Sequence, residues 1–262
     1  MKKILVLKVG TQNLMVGERL EQGIFNDLAR QVALVQNEGK DVVIVSSGAI
    51  QAGRERVSEL GLEPKGLTKK DLAGLGSRHL LNKWGTAFDE YHKDVVQFWL
   101  TFANWQDLNE IKNIKTGISN CLESKFITVV NENDVISDAE IIFMERGFSE
   151  NDRLARMVAT LISAEGVLFL TDAGGIYEQD PLINPRAKMY EEFNPFSFDT
   201  TMLSGISSLG KGGIRTKIEE ARGCFLSGMK VAIAGNEEDV LIKFSRGQPV
   251  GTRMGKFNKL KE

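Results

Sequence analysis

The chain has 262 residues, of which 42% are hydrophobic and 26% charged, and its formal net charge is −2. This size suits one large α/β domain or two fused lobes, and the near-neutral charge provides no overall field for binding nucleic acid or an anionic membrane. The first apolar run, residues 4–7, is interrupted by Lys8 and is too short for a signal peptide or a membrane span. We therefore expect a cytoplasmic protein that binds neither nucleic acid nor membrane.

Apolar, β-branched runs alternate with helical patterns along the chain. We predict strands at 3–9, 41–46, 95–100, 126–131, 166–170 and 230–234. Between them, apolar residues recur at helical spacing in three sets: Ile24, Leu28, Val32, Val35; Leu154, Val158, Leu161; Ile214, Ile218, Ala221, Phe225. Continuously apolar strands are covered on both faces, so this alternation predicts a mostly parallel sheet with helices on both sides.

The carboxyl end of the first strand is a candidate ligand-binding position, because ligands on parallel sheets bind beyond the carboxyl ends of the strands. Lys8 lies inside this strand and Gly10 follows it. A lysine at a strand end can simply extend its ammonium to solvent. Alternatively, it binds a phosphate that approaches the backbone where Gly10 has no side chain. The sequence alone leaves both interpretations open.

The second strand ends in Ser46-Ser47-Gly48, and small residues continue to Gly53. Small residues at a helix start leave backbone N–H groups facing the crevice, where they can hold a carboxylate or a phosphate. The competing interpretation is an ordinary helix N-cap formed by Ser46 or Ser47.

Polar residues also follow the fourth strand and open a later helix. Asn133 and Asp134 suit recognition of the amino group of an amino acid, or they build a turn through bonds to the backbone. Ser149 and Asp152 have the spacing of a variant capping box. Asp152 is also the type of residue that would hold two phosphate-binding lysines in place.

Two later segments suit a nucleotide. Thr171-Asp172, followed by glycines, fits the edge of a nucleotide or a loop rich in turn-forming residues. The glycine-rich segment 205–217 leads into a helix that contains Lys217, which fits polyphosphate binding. Residues 205–211 nearly match a Walker A loop, but Gly212 stands where Ser or Thr would ligate magnesium and no apolar strand precedes the segment. We therefore reject a P-loop.

In their order along the chain, these motifs resemble the glutamate 5-kinase family of the amino acid kinase superfamily. The resemblance covers nearly the whole chain. It rests on Lys8-Val9-Gly10-Thr11, Ser46-Ser47-Gly48-Ala49-Ile50, Ala52-Gly53-Arg54-Glu55, Val130-Asn131-Glu132-Asn133-Asp134, Asn151-Asp152, Leu170-Thr171-Asp172, Asp180-Pro181, Asn184-Pro185, Gly212-Gly213 and Thr216-Lys217. It implies a three-layer α/β/α sandwich around a mostly parallel sheet.

The resemblance also implies how the chain is organised. We expect a single amino acid kinase domain over residues 1–262, with a glutamate-binding lobe at 1–165 and an ATP-binding lobe at 166–262. Many family members carry a carboxyl-terminal RNA-binding-like (PUA) domain, and we expect none after Phe257. Dimers are common in the superfamily, so we expect a homo-oligomer.

The activity implied is transfer of the γ-phosphoryl group of ATP to the side-chain carboxylate of L-glutamate, a step that feeds proline synthesis. Lys8, Asp152 and Lys217 would be catalytic, with Asp152 orienting the two lysines. Residues that would bind glutamate are Ser47, Gly48, Asp134 and Asn151. Residues that would bind the nucleotide are Lys8, Gly10, Thr171, Asp172, Lys211, Gly212, Gly213, Ile214, Arg215, Thr216 and Lys217. Mg²⁺ would arrive on the ATP phosphates, not on a protein metal site, and proline is a candidate feedback inhibitor.

The sequence departs from the family pattern at a few positions. Gly174 and Ser77 stand where family members often have Lys and Gln, and Lys211 and Glu150 where they often have Thr and Asp. One alternative is another kinase of the superfamily, acting on acetylglutamate or aspartate, and residues 131–134 argue against it. A second alternative is a non-catalytic amino acid sensor, which we would expect to have lost Lys8, Asp152 or Lys217.

Overall fold

The computed structural model describes residues 3–137, 150–181, 183–196, 213–256 and 259–261. In chain order, its strands are β1 (Lys3–Val9), β2 (Met15–Val16), β3 (Arg19–Leu20), β4 (Lys40–Ser46), β5 (Val95–Leu100), β6 (Ile127–Glu132), β7 (Gly166–Leu170), β8 (Tyr190–Phe193), β9 (Lys230–Ala234), β10 (Thr252–Met254) and β11 (Lys259–Leu260). Its α-helices are α1 (Gln22–Asn37), α2 (Ala49–Glu59), α3 (Lys69–Asp89), α4 (Leu108–Glu123), α5 (Glu150–Leu161), α6 (Gly213–Leu226) and α7 (Val240–Ser245). Two short 3-10 helices span Thr11–Leu14 and Phe102–Gln106.

Among the described residues, nine strands form one sheet in the order β11-β8-β10-β9-β7-β1-β4-β6-β5. From β9 to β5 every neighbouring pair is parallel, whereas β10 runs antiparallel to β9 and β11 antiparallel to β8. All six predicted strands are present, four of them with the predicted ends and the other two within one residue. The prediction of a mostly parallel sheet is confirmed.

Alternate residues of each central strand enter two separate hydrophobic clusters. Leu5, Leu7 and Val9 of β1 pack in one cluster with residues of α1 and α3. Val6 packs in the other, with residues of α4, α5 and α6. Because side chains on a strand point alternately to opposite faces, the two clusters lie on opposite sides of the sheet. The predicted three-layer α/β/α sandwich is therefore confirmed.

Helices α2 and α3 cross at two glycines. A Cβ added to Gly53 would lie 2.0 Å from the Leu72 carbonyl oxygen, and one added to Gly76 would lie 1.9 Å from the Ala49 carbonyl oxygen. Any side chain at these positions would force the helices apart. The Ala52-Gly53 motif therefore has a packing reason, and the crossing fixes where α2 begins relative to the sheet.

Within the ranges given above, no helix combines the length and the apolar character needed to cross a lipid bilayer.

Candidate functional site

Three charged side chains from distant parts of the chain meet at the carboxyl end of β1. The Lys8 ammonium of β1 lies 2.8 Å from Asp152 Oδ1 of α5. The Lys217 ammonium of α6 lies 2.9 Å from the same oxygen and 3.0 Å from Oδ2. All three residues are buried, and Asp152 is fully inaccessible to solvent. The interpretation of Lys8 as a lysine that reaches into solvent is therefore wrong.

The electrostatics of this cluster depend on burial. Burial lowers the pKa of Lys217 to about 8; the Asp152 carboxylate partly offsets this effect, and the charge of Lys8 adds to it. Burial alone would raise the pKa of Asp152, but the charges of Lys217 and Lys8 outweigh it and hold the pKa below its usual value. Two ammonium groups share one carboxylate, so the cluster can carry a net positive charge in a buried place. An anionic group beside it would complete the charge balance.

The backbone next to the cluster leaves room for such an anion. A Cβ added to Gly10 would lie 3.5 Å from the Lys8 ammonium and 3.1 Å from Asn13 Oδ1. Gly10 has an ordinary φ of −78°, so its conformation does not require glycine. Its missing side chain instead keeps open the space beside Lys8. Two buried cations next to an open glycine backbone suit the phosphates of a nucleotide.

The Ser47–Gly48 turn follows β4, the strand next to β1. Ser47 N–H donates to the Val9 carbonyl at 2.9 Å, which ties this turn to the end of β1. Gly48 is the N-cap of α2, with φ +114°, and no side chain among the described residues caps the helix there. The alternative that Ser46 or Ser47 forms the N-cap is therefore wrong. A helix start without a side-chain cap retains N–H groups that can bind a carboxylate.

The end of β6 carries the predicted polar turn. The Asn133 carbonyl accepts hydrogen bonds from the N–H groups of Ile136 and Ser137, so this residue builds the turn. Asp134 lies in the same turn and is half-buried. Just before it, Asn131 is buried, and its Oδ1 has no hydrogen-bond partner among the described residues. The cost of burying an unpaired amide oxygen makes Asn131 a candidate ligand-binding residue, and the predicted site residues did not include it.

Helix α5 brings a second unpaired amide to this edge of the sheet. Asn151 precedes Asp152, and its Oδ1 is buried without a hydrogen-bond partner in the described ranges. Across from it, the guanidinium of Arg153 lies over the ring of Phe102, 4.5 Å from the centroid. This contact joins the start of α5 to the segment that follows β5. Asn151 is next in sequence to Asp152 of the charged cluster, and its Oδ1 is an acceptor that could bind a ligand.

The predicted nucleotide residues occupy several environments. Thr171 follows β7; its N–H donates to the Ala234 carbonyl at 2.8 Å and its hydroxyl to Asp172 Oδ1 at 3.2 Å. Asp172 is exposed. Gly174 has φ +83°, a left-handed conformation that glycine adopts without strain.

The start of α6 is described from Gly213 onward. Ile214 packs against the hydrophobic core, Thr216 is buried, and Arg215 lies on the surface, where Nε donates to Glu219 Oε1 at 3.1 Å. Lys211 and Gly212 lie outside the described residues, as does Ser149 of the alternative capping box. Of the predicted nucleotide residues, the structure brings Lys8 and Lys217 into one cluster, with Gly10 beside it.

Comparison with known proteins identifies the family. The sequence matches the model of the amino acid kinase family over residues 3–235. The chain belongs to the amino acid kinase family. It is 37% identical over 253 residues to a glutamate 5-kinase of Photorhabdus laumondii, covering 95% of this chain and 67% of the relative. It is 38% identical over 258 residues to one of Dehalococcoides mccartyi, covering 96% and 68%. The predicted family resemblance is therefore confirmed.

The match to these relatives is not to their full length. The chain spans about two thirds of the curated relatives that it matches, with shares of 67%, 66% and 68%. Nearly all of this chain is included in each alignment, 95% or 96%. The relatives' shared name therefore refers to proteins that are longer than this chain.

Solved structures with the same fold support this assignment at the level of architecture. A UMP kinase from Bacillus anthracis has a TM-score of 0.66 at 14% sequence identity, covering 100% of this chain and 99% of that one. A carbamate kinase from Giardia lamblia bound to AMP-PNP has a TM-score of 0.66 at 15% identity, covering 98% and 99%. At such identities the likeness shows the amino acid kinase fold alone.

Proposed function

We propose that the chain is an ATP-dependent glutamate 5-kinase, which transfers the γ-phosphoryl group of ATP to the side-chain carboxylate of L-glutamate. The observation that carries the proposal is the buried cluster in which Asp152 holds the ammonium groups of Lys8 and Lys217. Relatives at 37% and 38% identity named glutamate 5-kinase support the choice of acceptor. The chain would supply the first step of proline biosynthesis in the cytoplasm, and proline is a candidate feedback inhibitor.

The reaction needs charge stabilisation more than proton transfer. The glutamate side-chain carboxylate has an ordinary pKa of about 4.3, so it is ionised at neutral pH and needs no general base. One of its oxygens attacks the γ-phosphorus, the bond to the β–γ bridging oxygen breaks, and ADP leaves. Lys8 and Lys217 would stabilise the charge on the transferred group and on the leaving ADP. Mg²⁺ would arrive with ATP and supply further positive charge to the phosphates.

The two substrates would approach from the two parts of the chain. We assign glutamate to residues 1–165, where Ser47, Asp134 and Asn151 offer polar groups, and ATP to residues 166–262. Lys8 and Asp152 come from the first part and Lys217 from the second, so the cluster would form where the two substrates meet. A homo-oligomer is expected from the superfamily and is part of the same proposal.

The direct test is ADP release by the purified chain with ATP, Mg²⁺ and L-glutamate, compared with aspartate and N-acetylglutamate. Trapping the acyl phosphate with hydroxylamine identifies the product. Lys8→Ala and Lys217→Ala are each expected to lower turnover about a hundred- to a thousandfold. Lys230→Ala is the matched control, because Lys230 is an exposed lysine at the opposite end of the sheet, paired with Glu165 at 2.8 Å.

Several outcomes would contradict the proposal. ADP release that prefers aspartate or N-acetylglutamate would assign the chain to another kinase of the superfamily. Glutamate binding without ADP release would identify an amino acid sensor. Near wild-type turnover of Lys217→Ala would show that the cluster does not perform the transfer.

A further inference from the structure

A buried hydrogen-bond relay runs from α3 to the Ser47–Gly48 turn. The Trp84 indole Nε1 donates to Ser46 Oγ at 3.1 Å, and Ser46 Oγ donates to the Ser47 carbonyl at 3.0 Å. An indole N–H can only donate, so the Ser46 oxygen must accept there. The single hydroxyl proton of Ser46 is then left for the Ser47 carbonyl. The Ser47 carbonyl can only accept, so the hydroxyl donates to it, and the Trp84 N–H adds a second contact that holds the Ser46 hydroxyl in place.

The relay controls one peptide plane. The Ser47 carbonyl belongs to the same peptide as the Gly48 N–H, and this bond is trans, as are all others in the described residues. In a trans peptide the N–H points opposite to the carbonyl. Fixing the carbonyl toward Ser46 therefore directs the Gly48 N–H away from Ser46. Gly48 is the N-cap of α2, so this N–H lies at the start of the helix.

The donor itself is held firmly. Trp84 is completely buried, with the ring of Phe25 edge-on at 4.8 Å and the ring of Phe88 stacked at 6.2 Å. The close crossing of α2 and α3 at Gly53 and Gly76 fixes α3 against the helix that Gly48 begins. Both ends of the relay are thus anchored by packing.

We propose that Trp84 is a positioning residue for the acceptor substrate, which acts through Ser46 to orient the Ser47–Gly48 peptide toward the substrate carboxylate. This inference rests on the proposed function, since it assumes that the turn holds glutamate. Trp84 itself does not touch the substrate. Its loss should therefore weaken glutamate binding while leaving the ATP side, which is built around Lys8 and Lys217, unchanged.

The test compares two substitutions in the same aromatic cluster. Trp84→Phe keeps a buried ring and removes the N–H, and it is expected to raise the KM for glutamate about five- to tenfold. The KM for ATP and the kcat should stay within about twofold, because no contact with the phosphates is lost. Phe25→Leu is the matched control: it disturbs packing against Trp84 but removes no hydrogen bond, so it should leave both KM values near wild type.

A double substitution separates the relay from general packing. Ser46→Ala alone should raise the KM for glutamate at least as much as Trp84→Phe, and adding Trp84→Phe to it should cause no further increase. Ser46→Ala removes only one oxygen, so it tests the relay even if Trp84→Phe does not fold. Glutamate affinity measured by calorimetry without ATP gives the same comparison independently of turnover.

Three results would overturn the assignment. The first is an equal rise in the KM for glutamate and the KM for ATP in Trp84→Phe. The second is a rise in the KM for glutamate in Phe25→Leu that is as large as that in Trp84→Phe. The third is a KM for glutamate in the double variant that reflects the sum of the two single effects on binding free energy. A wild-type chain that phosphorylates another acceptor would instead reject the proposed function. A wild-type chain that neither binds nor phosphorylates glutamate would reject both.

Discussion

Binding of ATP is expected to take up a proton near pH 8, because Lys217 is only partly charged in the ligand-free protein. Burial lowers its pKa to about 8, despite the Asp152 carboxylate 2.9 Å away. Several phosphate charges placed beside the ammonium would raise this pKa well above the working range. Binding should therefore take up roughly half a proton at pH 8, about a tenth at pH 7 and about nine tenths at pH 9.

The same shift sets the sign of the pH dependence of affinity. Below about pH 7 Lys217 is charged before ATP arrives, so this group adds no pH dependence to the Kd. Above about pH 8 the bound state holds one proton more than the free state, so the Kd rises by up to about tenfold for each further pH unit. Since the lysines and Asp152 are in contact, the measured value belongs to the cluster as a whole.

The assay is isothermal titration of the protein at pH 8 with a non-hydrolysable ATP analogue and Mg²⁺, in buffers that differ in ionisation enthalpy. The slope of the observed enthalpy against the buffer enthalpy gives the number of protons taken up. Lys217→Arg is the matched control, because a guanidinium stays charged at this pH and should bring the slope near zero. A wild-type slope of zero, or an equal slope in Lys217→Arg, would refute the reasoning.

Two further predictions concern stability and acceptor recognition. Asp152→Asn leaves Lys8 and Lys217 buried without their shared carboxylate, so it should lower the free energy of unfolding by about 3–5 kcal/mol in urea titrations. Lys217→Met leaves the Lys8–Asp152 pair neutral and should match or exceed wild-type stability in the same titrations, although we expect it to lower turnover about a hundred- to a thousandfold. The reverse order of stabilities would contradict the charge argument. Asn131→Leu and Asp134→Ala should each raise the KM for glutamate about tenfold or more in steady-state assays, through loss of hydrogen bonds to the substrate. Equal changes in the KM for ATP would count against both assignments.

The six longest strands were predictable because each one is a short and mostly apolar run. This pattern depends only on local sequence, and the ends of β1, β5, β7 and β9 were predicted to the residue. The short strands β8, β10 and β11 were not predicted. They have 4, 3 and 2 residues and pair at the edge of the sheet, where register depends on neighbours that no local window contains.

Helix α3 was missed for a different reason. Glycines at 74, 76 and 85 lower the helical propensity of this segment, so the local sequence gives only a weak indication of a helix. The structure shows why Gly76 is there: a side chain would strike the Ala49 carbonyl of α2. The residue that weakens the local helical signal is the one that the tertiary contact requires.

Parts of the candidate site were accessible from sequence only through family resemblance. The resemblance implied that Lys8, Asp152 and Lys217 act together, but the hydrogen-bonded partners Asp152 and Lys217 are 65 residues apart along the chain. Their contact depends on the packing of α5 against α6, and the contact of Asp152 with Lys8 depends on the packing of α5 over β1. The sequence does not single out Asn131, because polar residues are common at strand ends. Only the structure shows that its Oδ1 is buried and has no hydrogen-bond partner among the described residues. The Trp84–Ser46 relay likewise joins residues 38 apart and leaves no local signal.

The charge imbalance of the cluster links stability to binding. Lys217 is buried and shares Asp152 with Lys8, and burial, together with the charge of Lys8, lowers its pKa to about 8 in the ligand-free protein. When ATP binds, its phosphates pair with the ammonium group of Lys217. ATP binding is therefore expected to raise the free energy of unfolding of the protein. A neutral pair of Lys8 and Asp152 would fold at least as well but would offer little attraction for a triphosphate. Retention of Lys217 in a buried position therefore favours a role in binding over a role in folding.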